Sequence, residues 1–130
     1  FSTHKARNVS WQQVCEQSRF VVLTCPLTPE TFHLVNQQSL EHMKRDSYLV
    51  NVGRGPLVDE LALVDALEKN AIAGIALDVF ETEPLPLNSG LRSFPNAVFG
   101  AHNGSNTSQG VSRASAKAVD ILLELMEARS

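Results

Sequence analysis

The stretch "NVGRGPLVDE", residues 51–60, lies between an apolar run, "YLVNV" (48–52), and a segment with apolar residues at 61, 63, 64 and 67. An apolar run, a glycine–proline turn and a helical stripe read as strand, turn and helix. Asp59 is placed to cap that helix, and acidic residues crowd its first turn, where the helix dipole favours them. Working outward, the same unit recurs. "WQQVCEQ" (11–17) follows the N-cap candidate Ser10 and leads into "FVVLT" (20–24), which has the composition of a strand buried on both faces. "CPLTPET" (25–31) carries two prolines and is a loop, and "NQQSLEHM" (36–43) is a short helix. "GIALDVF" (74–80) and "AVFGA" (97–101) read as the third and fourth strands, separated by an irregular loop. From about Thr107 a long helix carries Val111, Ala114, Ala118, Ile121, Leu122 and Leu125 on one face. Apolar strands alternating with helices predict an α/β fold, a Rossmann-like, mostly parallel sheet with helices on both faces.

The 130 residues suit one domain. The net charge of −3 argues against a nucleic acid or an anionic membrane as partner, and no apolar run is long enough to span a bilayer. Cys15 and Cys25, the only cysteines, read as reduced thiols of a cytoplasmic protein. The chain opens at Phe1 with no targeting pattern, which reads as processing or truncation; residues 1–9 read as a flexible end.

In a parallel sheet, ligands sit outside the carboxyl ends of the strands. The loops there hold Arg54, Glu83 and His102, three residues far apart in sequence. Gly53 and Gly55 begin a dinucleotide fingerprint, but Val58 stands where the third glycine belongs, and Pro56 lacks an N–H for phosphate. The glycines therefore read as a tight turn. Arg54 between them presents a planar fork suited to a carboxylate, against the plainer reading of a surface arginine. His102 is a candidate general acid/base or a solvent-facing loop histidine, and Glu83 either orients it and raises its pKa or is simply solvated. Asp78, ending an apolar strand, caps a loop backbone or binds a ligand amide. His4, His33, His42 and His102 lack metal-ligand spacing, so no metal is expected.

"VVLTCPLTPET", "LVNVGRGPLVDELALVDAL", "GIALDVFETEPLP" and "PNAVFGAHNGSNT" together resemble the D-isomer specific 2-hydroxyacid dehydrogenases, over residues from about 10 to 130. The resemblance implies the second half of a dinucleotide-binding domain spanning 1–130, with 107–130 as its long C-terminal helix. It implies Arg54, Glu83 and His102 as the catalytic residues: Arg54 holds the substrate carboxylate, and His102, supported by Glu83, gives or takes the hydroxyl proton. It also implies a cofactor lining of Cys25, Val52, Gly53, Arg54, Asp78, His102, Asn103, Gly104 and Ser105, with Asp78 on the nicotinamide carboxamide. The cofactor that the resemblance implies is NAD; His4, Lys5 and Arg7, if not merely a solvated terminus, would admit NADP. The resemblance further implies a small 2-hydroxy or 2-keto acid as substrate and a homodimer as the assembly. The family's proline before the histidine is absent from Gly100-Ala101-His102-Asn103, and "SGL" (89–91) stands where S-P-L is common. The pyrophosphate loop is expected upstream of Phe1, so the separate 130-residue chain is expected to turn over little. The alternative is an inactive α/β module that binds a ligand or partner, or self-assembles. A third reading is a relative that senses nucleotide without catalysis.

Overall fold

A computed structural model describes residues 6–104 and 106–127. The elements run α1 (Trp11–Gln17), β1 (Phe20–Leu23), α2 (Gln37–His42), β2 (Tyr48–Asn51), α3 (Glu60–Glu68), β3 (Gly74–Leu77), β4 (Ala97–Phe99) and α4 (Ser108–Glu127). Helix starts are set by their caps. Ser10 and Gln13 form a reciprocal capping box on α1, and Asn36 accepts the Ser39 N–H at the head of α2. Asp59 accepts from Leu61 and Ala62 N–H at 3.1 and 3.0 Å on α3, as expected.

All four strands are parallel, in the order β1-β2-β3-β4. Val21, Leu49, Ile75 and Ala97 align across the sheet, as do Leu23, Asn51, Leu77 and Phe99. Val21, Leu23, Leu49, Ile75 and Leu77 are buried in one core with Cys15 of α1, Leu40 of α2, and Leu63 and Leu67 of α3. The Trp11 indole N–H donates to Ser39 Oγ at 3.0 Å and pins α1 to α2.

The opposite face differs from expectation. Strand β1 alternates between exposed and buried instead of being buried on both faces. Phe20 is 60% exposed, Val22 53% and Val98 68%, and Phe20 stacks on Tyr48 with ring centroids 5.4 Å apart. Successive side chains point to opposite faces, and α1–α3 cover only one of them. Among the described residues the other face stays open. The stripe on α4 is likewise present but uncovered: Val111, Ile121, Leu122 and Leu125 are exposed. Strand β3 ends at Leu77 rather than 80, because Asp78 is drawn into the loops beyond the sheet; Val79 and Phe80 remain buried. The "GRGP" turn contains a short 3₁₀ turn at Gly55–Leu57, and the long loop contains another at Gly90–Ser93.

Candidate active site

The arginine loop leaves β2 and at once meets the loop beyond β3. Gly55 is buried with the Phe80 main chain against it, and a Cβ there would overlap the Phe80 carbonyl. Only glycine permits that approach, which sets the Arg54 loop beside the Phe80–Glu83 loop. The 28–35 segment is laced to the same turn. The His33 N–H donates to Pro56 O at 2.9 Å, and Val35 pairs with Val58 as a parallel bridge.

The histidine loop is held by Asp78. Its main-chain carbonyl accepts the His102 N–H at 2.7 Å, and its carboxylate accepts Asn103 N–H at 3.0 Å and Gly104 N–H at 2.7 Å. These two backbone bonds, with the nearby His102 adding a smaller pull, hold the Asp78 carboxyl below its ordinary pKa. Gly100 lies so close that a Cβ would overlap Asp78 Oδ1. Within this bracket His102 takes the left-handed region, φ 54°, a costly conformation for a residue with a Cβ. Asp78 thus shows the loop-capping arrangement.

His102 Nδ1 lies 2.7 Å from Glu83 Oε2, while Glu83 Oε1 accepts the Phe80 N–H at 3.1 Å. The His102 bond first, then the Phe80 bond, lower the Glu83 pKa; the charge of Arg54 contributes in the same direction. Both oxygens are committed, so the ring is oriented with Nε2 as its second nitrogen. The pair lines an open pocket of about 590 Å³ together with Phe80, Leu85, Arg92 and Phe99.

Arg54 is exposed and donates from Nη1 to Gly53 O at 2.7 Å. It lines a neighbouring pocket of about 520 Å³ with Thr24, Cys25, Pro26, Leu27, Val52 and Gly53. The structure therefore divides the sequence-predicted residues between two adjoining hollows. Cys25, Val52, Gly53 and Arg54 form one; Glu83 and His102 face the other; Asp78, Asn103 and Gly104 make the bracket behind the histidine. Ser105, His4 and Lys5 lie outside the described residues. Exposed, apolar Val52 and Leu27 offer a flat surface in the first hollow.

Sequence spacing missed two arrangements. Asn51, fully buried at the end of β2, bridges the arginine turn through its side chain. His33, Asp59 and Glu81, dispersed in sequence, meet in space. His33 Nε2 is 3.0 Å from Glu81 and Nδ1 is 3.9 Å from Asp59, so the ring spans the two carboxylates as a clasp between loops.

A parallel α/β sheet with a carboxylate-braced histidine beyond its strand ends is a Rossmann-like domain. The family profile described as D-isomer specific 2-hydroxyacid dehydrogenase, NAD binding domain, matches residues 1–104. A glyoxylate/hydroxypyruvate reductase B from Serratia proteamaculans is 46% identical over 102 residues, 78% of this chain and 31% of that protein. A glyoxylate reductase from Thermofilum pendens is 46% identical over 112 residues, 86% of this chain and 33% of its own. Among solved structures, a D-isomer specific 2-hydroxyacid dehydrogenase from Xanthobacter autotrophicus, in complex with NADPH and MES, superposes with a TM-score of 0.68 at 44% identity, over 71% of this chain and 29% of that one. A D-lactate dehydrogenase from Aquifex aeolicus, complexed with NAD and lactic acid, gives 0.75 at 26% identity, over 92% and 40%. The chain belongs to the D-isomer specific 2-hydroxyacid dehydrogenase family and carries sequence of its NAD-binding domain. It spans about a third of the length of the relatives it matches.

Proposed function

We propose that the intact protein is an NAD(P)-dependent reductase of a small 2-keto acid such as glyoxylate or hydroxypyruvate, running in reverse as a D-2-hydroxyacid dehydrogenase. The observation that carries the reading is the 2.7 Å His102–Glu83 contact in a setting where Arg54 also acts on Glu83. Arg54 receives the substrate carboxylate and draws electron density from the adjacent carbonyl. Protonated His102, its Nδ1 engaged by Glu83, delivers a proton from Nε2 to the carbonyl oxygen in reduction and removes it in oxidation. A bound nicotinamide supplies or accepts the hydride at C2. Cys25, Val52, Gly53, Arg54, His102, Asn103 and Gly104 would line the cofactor, with Asp78 at the nicotinamide carboxamide. The low pKa of Asp78 suits a permanent hydrogen-bond acceptor there, since each of its oxygens keeps a free lone pair.

The reading extends to NAD or NADP as cofactor, a homodimer, and a cytoplasmic location. Residues 1–130 would form the second half of the dinucleotide-binding domain and turn over little alone, because positioning supplies much of any rate. The test is glyoxylate and hydroxypyruvate reduction by the intact protein with NADH and NADPH. Turnover lost on His102→Ala substitution supports the assignment; a folded intact protein that oxidises neither cofactor with either acid refutes it.

The open sheet face favours a second reading, a self-assembling module without catalysis, since Phe20, Val22 and Val98 stand uncovered. Activity of the intact protein, with light scattering for its assembly state, separates the two. An intact protein that self-associates but reduces no 2-keto acid with either cofactor supports the module, and an active one excludes it.

A further inference from the structure

Asn51 ends β2 at a register position whose neighbours on either side, Leu23 and Leu77, are apolar core residues. The side chain is only 1% exposed. An amide buried among leucines is unfavourable unless its hydrogen bonds are met, and a leucine there would bury more apolar surface. The amide of Asn51 is met by the catalytic loop alone. Nδ2 donates to Arg54 O at 2.9 Å, and Oδ1 accepts the Gly53 N–H at 3.1 Å. Its main-chain oxygen accepts the Asp78 N–H at 2.9 Å. Asp78 in turn holds the main chain of His102, Asn103 and Gly104. A continuous chain of hydrogen bonds therefore runs from the backbone of Arg54 through Asn51 and Asp78 to the backbone of His102.

We propose that Asn51 is a positioning residue whose side-chain amide fixes the Arg54 backbone, so that the guanidinium meets the substrate carboxylate. The proposal rests on the reading of Arg54 as the carboxylate-binding group. Asn51 touches no substrate in this scheme and acts only through the loop. The cost of burying its amide is offset by a turn held in one conformation, which a bidentate contact requires.

The discriminating variant is Asn51→Asp in the intact protein. Its carboxylate still accepts the Gly53 N–H but sets an oxygen against the Arg54 carbonyl; when protonated, the same oxygen donates to that carbonyl as Nδ2 does. KM and kcat for glyoxylate, and binding of the inert analogue oxamate to the protein with NADH, are measured against pH. We expect KM and the oxamate Kd to rise about tenfold at neutral pH, the equivalent of about 1.4 kcal/mol, with a smaller change in kcat. Both should recover towards wild type as the new carboxyl takes up its proton. A residue serving only stability would lower Tm without this split or recovery.

A folded Asn51→Asp protein with unchanged KM and oxamate affinity overturns the proposal. If that variant does not fold, Asn51→Ser serves, because its shorter hydroxyl cannot bridge both groups. A raised oxamate Kd supports the proposal and an unchanged one overturns it. A wild-type protein that reduces glyoxylate while Arg54→Ala binds oxamate normally overturns the reading of Arg54, and the proposal with it. That failure is distinct from one confined to the Asn51 variants.

Discussion

Replacing Glu83 by glutamine keeps the shape of the side chain and removes one of the two acceptors it uses. Oε2 faces His102 Nδ1 at 2.7 Å and Oε1 receives the Phe80 N–H at 3.1 Å. An amide has a single oxygen, so Glu83→Gln must set an NH₂ against either the imidazole N–H or the backbone N–H. A hydrogen bond to a charged group contributes about 1.5–3 kcal/mol. The His102 and Glu83 side chains are 48% and 36% exposed, so water screens the pair and the lower end applies. About 1.5 kcal/mol corresponds to roughly a tenfold fall in kcat/KM. The assay is kcat/KM for glyoxylate with the preferred cofactor, measured against pH on wild type and Glu83→Gln. The wild-type Glu83 pKa is depressed below its ordinary 4.5, first by His102 and then by the Phe80 N–H. Its carboxylate is therefore fully in place at neutral pH and is lost as pH falls through the depressed value. The ratio of wild type to variant should be largest near neutrality and shrink in acid. A folded Glu83→Gln protein with wild-type kcat/KM at neutral pH would refute the role given to the pair.

Further outcomes follow from the same geometry. Arg54→Lys replaces a fork by a point charge, so KM for glyoxylate should rise about tenfold or more, with the thermal midpoint little changed. Gly55→Ala forces a Cβ onto the Phe80 carbonyl. About 1–3 kcal/mol of stability should be lost, measured by urea unfolding, with activity falling as the two loops part. Asp78→Asn exchanges an acceptor of two backbone N–H groups for an amide with one oxygen. The native Asp78 pKa lies below its ordinary 3.8, so its contribution is present above that value and lost as pH falls through the depressed one. The variant should melt at a lower temperature than wild type at neutral pH, and the two midpoints should converge in acid.

The fold was legible because its signals are local. Asp59 before a helical stripe, Ser10 with Gln13, and runs such as "YLVNV" each act within a few residues of themselves. Their alternation constrained the parallel order, and with it the edge on which Arg54, Glu83 and His102 lie. Burial was harder to read. An apolar run like "FVVLT" has the same composition whether one face or two are covered, and the difference rests on the placement of α1–α3.

The sequence by itself determined the elements, the parallel sheet and the residue types at its carboxyl edge, because helix caps, side-chain period and turn chemistry are properties of short segments. Only the tertiary structure decided that Asp78 is occupied with the histidine loop, that His33 spans Asp59 and Glu81, and that buried Asn51 at the end of β2 accepts the Asp78 N–H beyond β3. Those contacts cross as many as 48 residues of chain in the case of His33 and Glu81. They exist only once strands that are remote in sequence lie side by side, and no local pattern encodes them.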